Sequence, residues 1–245
     1  GSDSGLFFFS RKNGVWSVSG DDLADESIYR CFRDREGGVW IGTYFCGVNY
    51  LSPRQDEILW YYDDGHPESL DGNAVSQFCD DGRGNLWIAT ENGGLNHFDV
   101  RNRKFTNHTA RSHNNLHALC TDGDDLLIGT FSQGLDRMNL RTGKVVNYRN
   151  IPGDSASLCN DYVYAIFRAS DGTIYVGTMS GMCTFDKRRG RFSRVEITEG
   201  RFIYDIAEDT GGNIWVASKV SGIYRYSPGD RSWKNYRHDE LCLLY

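Results

Sequence analysis

The sequence predicts an all-β protein, and three observations support that expectation. Aromatic residues are abundant, with 6 Trp, 14 Tyr and 13 Phe in 245 residues, and aromatic side chains are enriched in strands. Glycine is frequent, at 28 residues against 4 Pro, which suits short strands joined by tight turns. The third observation is a strand motif that recurs five times along the chain. A motif that recurs at this spacing indicates a repeat architecture.

The motif places a turn glycine or aspartate before an apolar strand, as in Gly38–Thr43 and Gly84–Thr90. An aromatic or apolar anchor recurs within it at intervals of 47, 40, 48 and 40 residues. Such intervals are typical of the four-stranded blades of a β-propeller. The anchors are Trp40, Trp87, Leu127, Tyr175 and Trp215. A small residue follows each anchor by two positions, where it would let neighbouring blades approach closely: Gly42, Ala89, Gly129, Gly177 and Ala217.

The second copy of the repeat predicts most clearly how one blade forms. Alternating apolar residues and turn signals predict four strands, which are Val75–Cys79, Leu86–Thr90, Leu95–Asp99 and Lys104–His108. Glycines fall in the turns between them, because hairpin reversals require positive φ at low steric cost.

The two ends of the chain predict an incomplete blade. Leu6–Phe9 and Val15–Val18 match the third and fourth strands of a blade, and Leu241–Tyr245 would begin a first strand. We therefore expect five complete blades plus a split or truncated remainder, with residues 1–245 forming one propeller domain or a propeller fragment. Either the termini close a thin sixth blade, or the chain is an excerpt of a longer array. The second alternative is favoured, because the anchor strand of the remainder is absent. Gly1-Ser2 resembles a cleavage scar left by expression.

Charge and composition argue against several classes of partner. The chain has 27 Lys and Arg against 33 Asp and Glu, a net charge of −6, so a nucleic-acid partner is not expected. Its longest apolar stretch, Gly5–Phe9, is far shorter than the ~20 residues of a membrane span, so no membrane contact by this segment is expected. Seven cysteines include no Cys-x-x-Cys pair, which argues against a zinc site or a disulfide scaffold. No metal or cofactor is expected.

The segment Asp81–Asp99, with its Gly-Asn-Leu-Trp-Ile-Ala-Thr core, resembles the two-component regulator propeller repeat. The connectors 62–75 and 148–163 resemble the links between blades in that family. The resemblance implies a periplasmic sensor domain of a hybrid two-component system histidine kinase. It further implies an oligosaccharide ligand, a homodimer in the full-length sensor, and a signal passed to a kinase not present in this chain. Nothing in the chain resembles a kinase or receiver domain, so no enzymatic activity of the chain itself is expected.

The loop after each second strand is the predicted ligand-binding region, because its residues vary while the flanking motif repeats. Loops on a rigid scaffold commonly carry function. Aromatic residues would stack on a sugar ring, and polar ones would supply hydrogen bonds or charge. The candidate residues are Tyr44, Phe45, Asn92, Phe131, Gln133 and Lys219. The alternative is that they only pack against neighbouring loops.

Two functions from other classes stay open. Propeller lyases or lactonases use similar Gly-x-x-Trp repeats, but they need a base, usually His, with acidic or metal support. The six histidines show no metal-ligand spacing, and no local catalytic triad is found, so no catalytic residue is predicted. The other alternative is a propeller that only binds proteins through exposed aromatic residues. An oligosaccharide screen beside a self-association assay would separate that function from sensing.

Overall fold

The computed structural model describes residues 6–10, 15–19, 23, 27–53, 58–108 and 113–237. Strands dominate these residues, and their one helical element is the short 3-10 turn Glu196–Thr198. The chain divides into two compact units, unit 1 comprising residues 1–119 and unit 2 comprising residues 120–245. The all-β prediction is confirmed, while the assignment of residues 1–245 to one domain stays a prediction.

Unit 1 contains a two-stranded hairpin and two four-stranded antiparallel sheets, blades 1 and 2. The hairpin pairs β1 (Leu6–Ser10) with β2 (Val15–Ser19), so both predicted strands of the incomplete blade are present. Leu241–Tyr245, the predicted first strand, lies outside the described residues. Blade 1 consists of β3 (Ile28–Arg33), β4 (Val39–Thr43), β5 (Val48–Leu51) and β6 (Ile58–Tyr61). Blade 2 consists of β7 (Val75–Asp80), β8 (Leu86–Thr90), β9 (Gly94–Asp99) and β10 (Lys104–His108), within one residue of the prediction.

Blades 3, 4 and 5 follow along the chain, and the boundary between the units falls inside the first strand of blade 3. Blade 3 consists of β11 (Leu116–Asp122), β12 (Asp125–Thr130), β13 (Leu135–Asn139) and β14 (Val145–Tyr148). Blade 4 consists of β15 (Val163–Arg168), β16 (Ile174–Thr178), β17 (Gly181–Asp186) and β18 (Arg191–Arg194). Blade 5 consists of β19 (Ile203–Glu208), β20 (Ile214–Ser218), β21 (Gly222–Ser227) and β22 (Ser232–Tyr236). Five four-stranded blades are therefore confirmed.

Four of the five predicted anchors, Trp40, Trp87, Leu127 and Tyr175, are buried. Trp40 is 1% exposed and packs against Tyr50 and Phe98, with ring centroids 4.3 and 5.4 Å away. Leu127 occupies the same position in blade 3 and is fully buried. Trp215 in blade 5 is only half-buried. Its indole Nε1–H donates to Asp209 Oδ2 at 2.8 Å, and this bond and others hold the pKa of Asp209 down to about 2.

The small residues after the anchors permit close approach between blades, as predicted. A Cβ placed on Gly42 would lie 2.7 Å from Val75 Cγ1 of the following blade in unit 1. A Cβ on Gly177 would lie 2.6 Å from Ile203 Cγ2 of the following blade in unit 2. Real Cβ atoms need about 3.5 Å or more from such carbons. The first strands of blades 2 and 5 therefore pack directly on the backbone of the preceding blade.

A β-bulge interrupts the first strand of four blades at the same position. The register with the second strand shifts between Ile28 and Arg30 in blade 1, and equivalent shifts occur in blades 2, 4 and 5. A bulge leaves one residue outside the ladder and re-aims its side chain. The bulged residues are Tyr29, Ser76, Tyr164 and Tyr204. Bulges are over-represented next to active sites, so these side chains are candidates for a functional site.

Candidate functional site

The bulge residue Tyr29 begins an aromatic cluster in unit 1. Its ring stacks on Tyr44 with centroids 5.6 Å apart, and Tyr44 meets the edge of Phe45 at 4.4 Å. The Tyr44 backbone N–H donates to Ser27 O at 3.1 Å, which fixes the loop against the start of β3. Phe45 at the tip is 69% exposed. The cluster therefore runs from a half-buried tyrosine to an aromatic ring open to solvent.

Glu91 connects this aromatic cluster to blades 2 and 3. The Tyr29 hydroxyl donates to Glu91 Oε1 at 2.8 Å, and His117 Nδ1 lies 3.7 Å from the same oxygen. Glu91 directly follows β8, where its backbone N–H donates to Ala74 O at 2.9 Å. His117 follows Leu116 in β11, the position that the bulged tyrosines occupy in other blades. Side chains from three successive repeats thus meet at one carboxylate.

Burial determines the protonation of His117. The side chain is 7% exposed, and desolvation, with a smaller contribution from the charge of His113, lowers its pKa to about 4. The imidazole is therefore neutral near pH 7, and Glu91 faces a tyrosine hydroxyl and a neutral ring rather than a cation. A carboxylate in this position is a strong hydrogen-bond acceptor for hydroxyl groups.

An open cavity and two further exposed rings extend the site in unit 1. The cavity measures about 220 Å³ and is lined by Ser27, Ile28, Tyr29 and Tyr44. Its volume is below the ~300–1,000 Å³ of pockets that enclose drug-sized ligands, so it fits a single ring. Trp60, 50% exposed, stacks on Tyr62 at 4.3 Å and donates its Nε1–H to Cys46 O, one residue after Phe45. We call Tyr29, Tyr44, Phe45, Trp60 and Tyr62 the aromatic surface of unit 1.

Unit 2 carries a second aromatic cluster around Phe202. The Phe202 ring lies 4.5 Å from Tyr164 and 6.1 Å from Tyr204, both of which are bulge residues. Lys219 Nζ lies over the Phe202 ring at 5.5 Å from its centroid. The Lys219 backbone N–H donates to Phe202 O at 3.0 Å, which holds the loop beside the ring. In this cluster the residue after the second strand of the blade is the cation Lys219, whereas in unit 1 the residue after β8 is the carboxylate Glu91.

The structure gathers some of the predicted ligand-binding residues and separates others. Tyr44 and Phe45 belong to the aromatic surface of unit 1, and Lys219 belongs to the Phe202 cluster. Asn92 is exposed at the turn after β8. Phe131 meets Tyr162 edge-on at 5.1 Å, and the side chain of Gln133 accepts a hydrogen bond from Arg149. These last contacts match the alternative of loop packing for Phe131 and Gln133, and ligand binding by all six residues stays a prediction.

Sequence reasoning missed the residues that organise both clusters. The missed side chains are Tyr29, Glu91, His117, Tyr164, Phe202 and Tyr204. A signal for four of them is present in the sequence: a large polar or aromatic residue directly follows the first buried apolar residue of the strand, as in Ile28-Tyr29 and Leu116-His117. A regular alternation of apolar and polar residues does not predict the bulge, so the sequence alone assigns these residues to ordinary strand positions.

Among the described residues, no helix is long and apolar enough to cross a bilayer. The same part of the chain holds no group of three or more His, Cys, Asp or Glu side chains placed to bind a metal ion.

Three segments match the model of a family described as two component regulator propeller: residues 22–45, 69–92 and 157–180. The chain contains two-component regulator propeller repeats. In unit 1 the first of these repeats includes Tyr29 and Tyr44, and the second ends directly after Glu91. The matched segments therefore contain Tyr29, Tyr44, Phe45 and Glu91 of the candidate site, together with the first two strands of blades 1, 2 and 4.

A curated relative of these propeller repeats is histidine kinase P4 of Formosa agariphila, 32% identical over 81 residues. That alignment covers 29% of this chain and 6% of the kinase. The chain therefore spans a small fraction of the relative that it matches.

Solved structures share the fold of the propeller repeats. The extracellular domain of a hybrid two-component system of B. thetaiotaomicron superposes with a TM-score of 0.84 at 19% identity, over 96% of this chain and 32% of that one. The extracellular domain of a one-component system of the same organism superposes with a TM-score of 0.72 at 21% identity, over 88% of this chain and 29% of that one. Virginiamycin B lyase of Staphylococcus aureus superposes with a TM-score of 0.74 at 11% identity, over 96% of this chain and 78% of the lyase. These likenesses show the β-propeller fold.

Proposed function

We propose that this chain is the ligand-sensing propeller segment of an extracytoplasmic sensor, and that it binds an oligosaccharide at the aromatic surface of unit 1. The sensor assignment is supported by the family's repeats and by similarity to extracellular domains of B. thetaiotaomicron signalling systems. A periplasmic location and a signal passed to a histidine kinase outside this chain belong to the same proposal. The ligand assignment rests on Tyr29, whose ring stacks on Tyr44 and whose hydroxyl donates a hydrogen bond to Glu91.

Sugar recognition requires a flat apolar surface and nearby hydrogen-bonding groups. Phe45 supplies an exposed ring and Tyr44 a half-buried one. Tyr29 stacks on Tyr44 and connects these rings to the Glu91 carboxylate through its hydroxyl. The carboxylate accepts hydrogen bonds from sugar hydroxyl groups, which gives orientation, while ring stacking gives contact area. Trp60 and Tyr62 provide a second stacked platform, so more than one sugar unit is accommodated.

Binding alone does not transmit a signal. The ligand must bind one arrangement of two sensor protomers more tightly than another, and typical coupling amounts to ~1–3 kcal/mol. A homodimer of the full-length sensor would supply the two arrangements. The full ectodomain bound to its inducing glycan should therefore differ in small-angle scattering from the unbound form, and identical profiles would contradict the transmission step.

The ligand assignment is tested by a thermal-shift screen of this chain against purified oligosaccharides. A saccharide at 100 times its Kd stabilises the folded state by about 2.7 kcal/mol, so a hit raises the melting temperature of the parent chain. Tyr44→Ala should abolish that shift. Phe202→Ala, a matched aromatic truncation in unit 2, should retain it.

The two variants make the outcomes distinct. A shift lost in Phe202→Ala and kept in Tyr44→Ala would move the site to unit 2 and contradict the proposal for unit 1. A folded parent that no saccharide stabilises would favour a protein-interaction propeller. Glu91→Gln keeps the size of the side chain and removes its charge, so it should weaken binding by roughly tenfold, the magnitude of one charge-assisted hydrogen bond.

A lyase activity is the second candidate, because His117 and Glu91 form a histidine–carboxylate pair in a fold shared with virginiamycin B lyase. The low pKa of His117, about 4 from burial, makes it a weak base near pH 7. Incubation with a cyclic lactone peptide, followed by mass spectrometry, tests this candidate. Ring opening by the parent chain but not by His117→Ala would establish it.

A further inference from the structure

A pair of cysteines in unit 2 lies beside a cavity that the proposed function does not use. Cys159 lies in the connector between β14 and β15, and it lines an open cavity of about 550 Å³ together with Asp154, Met182 and Arg194. Cys183 lies on β17 and is fully buried. Cys183 Sγ donates to Val176 O at 3.8 Å, and the thiol groups of Cys159 and Cys183 interact electrostatically with each other.

The backbone ladder and the connector hold the two cysteines together. Cys183 is paired with Arg194 across β17 and β18. The Arg194 guanidinium reaches back to the connector, where Nη2 donates to Leu158 O at 3.5 Å and Nε to Ser155 O at 3.4 Å. Asn150 Nδ2 donates to Cys159 O at 3.1 Å and so fixes the connector from its other side. Arg194 therefore lies between the ladder and the residue that precedes Cys159.

The surroundings of the two sulfur atoms differ. The interaction with the Cys183 thiol lowers the pKa of Cys159, and the positive charge of Arg194 lowers it further against the effect of burial. Burial raises the pKa of Cys183 well above its usual value. A thiolate is the nucleophile in thiol exchange, and a nearby cation and access to solvent favour its reaction. Cys159 is 8% exposed and lines the cavity, whereas Cys183 is fully buried and does not line it. Cys159 thus has the character of an attacking thiol, and Cys183 that of a resolving thiol.

We propose that Cys159 and Cys183 form a redox-active dithiol, in which Cys159 reacts with a small-molecule disulfide entering the cavity and Cys183 completes an intramolecular disulfide. This proposal is independent of the oligosaccharide site in unit 1. Its substrate class is a low-molecular-weight disulfide such as oxidised glutathione.

The reaction proceeds in two exchange steps. Cys159 loses its proton to solvent, and its thiolate attacks one sulfur of the small disulfide. The S–S bond breaks, a mixed disulfide forms at Cys159, and the first small thiolate leaves and takes up a proton. The Cys183 thiol then loses its proton and attacks Cys159 Sγ, which releases the second small thiolate. Two cysteine thiols and one disulfide are converted into one protein disulfide and two small thiols, so atoms and electrons balance.

The product would tie the connector covalently to blade 4. Closing a chain loop in this way restricts the unfolded state, so the oxidised chain should melt at a higher temperature than the reduced chain. One pair within unit 2 remains compatible with the absence of a disulfide scaffold predicted from the seven cysteines.

The test uses the reduced full chain, incubated with oxidised glutathione or with reduced glutathione as control. Free thiols are then alkylated under denaturing conditions, and the digested peptides are identified by mass spectrometry. The expected result is a disulfide-linked peptide pair containing Cys159 and Cys183, formed only with oxidised glutathione. The number of alkylated thiols should fall by two from the seven of the sequence. Alkylation of both cysteines after oxidation, with modification confined to the exposed Cys31, would overturn the proposal.

Two variants test the order of the steps. Cys183→Ser should accumulate glutathione on Cys159, because the resolving thiol is absent, whereas Cys159→Ser should leave Cys183 unmodified. Cys31→Ser is the matched control and should form the Cys159–Cys183 link as the parent chain does. Arg194→Gln in the Cys183→Ser background should slow glutathione addition several-fold. Equal addition to Cys183 in Cys159→Ser would overturn the assigned roles even if both variants fold less stably.

Discussion

The two units of this chain place different chemistry at the same position of the same repeat. In unit 1 the residue after the first buried strand position is Tyr29, Ser76 or His117, and Tyr29 and His117 lie against the carboxylate of Glu91. In unit 2 it is Tyr164 or Tyr204, and these rings surround Phe202 beside Lys219. Their strands and anchors otherwise follow one pattern. The ladder and the core therefore determine the fold, while the bulge position and the residue after the second strand, Glu91 or Lys219, determine the local chemistry.

The difference in charge has a direct consequence for ligands. Unit 1 presents an acceptor, the Glu91 carboxylate, beside exposed rings, which suits neutral molecules rich in hydroxyl groups. Unit 2 presents a lysine ammonium group, which donates hydrogen bonds and favours acceptors or anionic groups. A ligand that recognises one cluster is not expected to recognise the other.

Truncation of an anchor should give the largest effect and should differ between the units. Trp40→Ala should reduce the free energy of unfolding by ~3–5 kcal/mol, because the side chain is almost fully buried and leaves a cavity. Trp215→Ala should cost less, because Trp215 is half-buried. Urea unfolding followed by circular dichroism measures both losses. Equal losses would show that burial in the blade core does not distinguish the two anchors.

Acidification should destabilise unit 1 through His117. The unfolded histidine binds a proton near pH 6.5, whereas burial lowers the folded pKa to about 4. The unfolded state therefore binds more protons in that interval, and stability falls by about 2 kcal/mol from pH 7 to pH 5. His117→Gln should lose less stability over the same interval. Glu91 and His113, which face His117, are present in both the parent chain and the variant. A variant with the full pH dependence of the parent would show that His117 is not the group responsible.

Addition of one methyl group at the blade contacts should affect the units equally. Gly42→Ala in unit 1 and Gly177→Ala in unit 2 each place a Cβ within 2.7 Å of a side chain on the following blade. Such overpacking typically costs ~1–3 kcal/mol. Thermal unfolding of both variants tests the expectation. A large cost in one unit alone would show that blade packing, and not only the bulge position, differs between them.

Loss of the lysine in unit 2 should give the smallest effect. Lys219→Ala removes an exposed cation–π contact with Phe202, and exposed contacts of this kind amount to ~0.5–1 kcal/mol. Lys219→Arg keeps the charge and is the matched control. Comparison of their urea midpoints measures the contact, and no difference between them would leave the cation of unit 2 without a structural role.

The fold was predictable because each repeat carries strong local signals. The strands of blade 2 agree with the prediction within one residue, since turn glycines and alternating apolar residues mark both ends. Blade 3 has no turn glycine at the expected position, yet it forms the same hairpin through Gly123, whose φ is +64°. The core there is filled by the fully buried Leu127 in place of Trp. An apolar side chain of sufficient volume at the anchor position therefore fills the core of blade 3, and a Trp is not required there.

The candidate site was only partly predictable. Variation between copies identified Tyr44, Phe45 and Lys219, because loop residues are free of the ladder. It did not identify Tyr29 or Phe202, whose importance depends on a register shift and on contacts between distant residues. The Tyr29–Glu91 hydrogen bond joins residues 62 positions apart, and no local pattern encodes such a separation. Repetition in a sequence predicts the common framework, whereas recognition depends on how the copies differ in space.

The bulge in the first strand of four blades has an evolutionary consequence. A residue at this position takes no part in the register of the ladder, so its replacement leaves the backbone pairing of the strand intact. Tyrosine and serine already occupy it in different copies. Duplicated repeats can therefore diverge at this position one substitution at a time while the protein stays folded. Selection on the side chain at this position can therefore act largely apart from selection on folding.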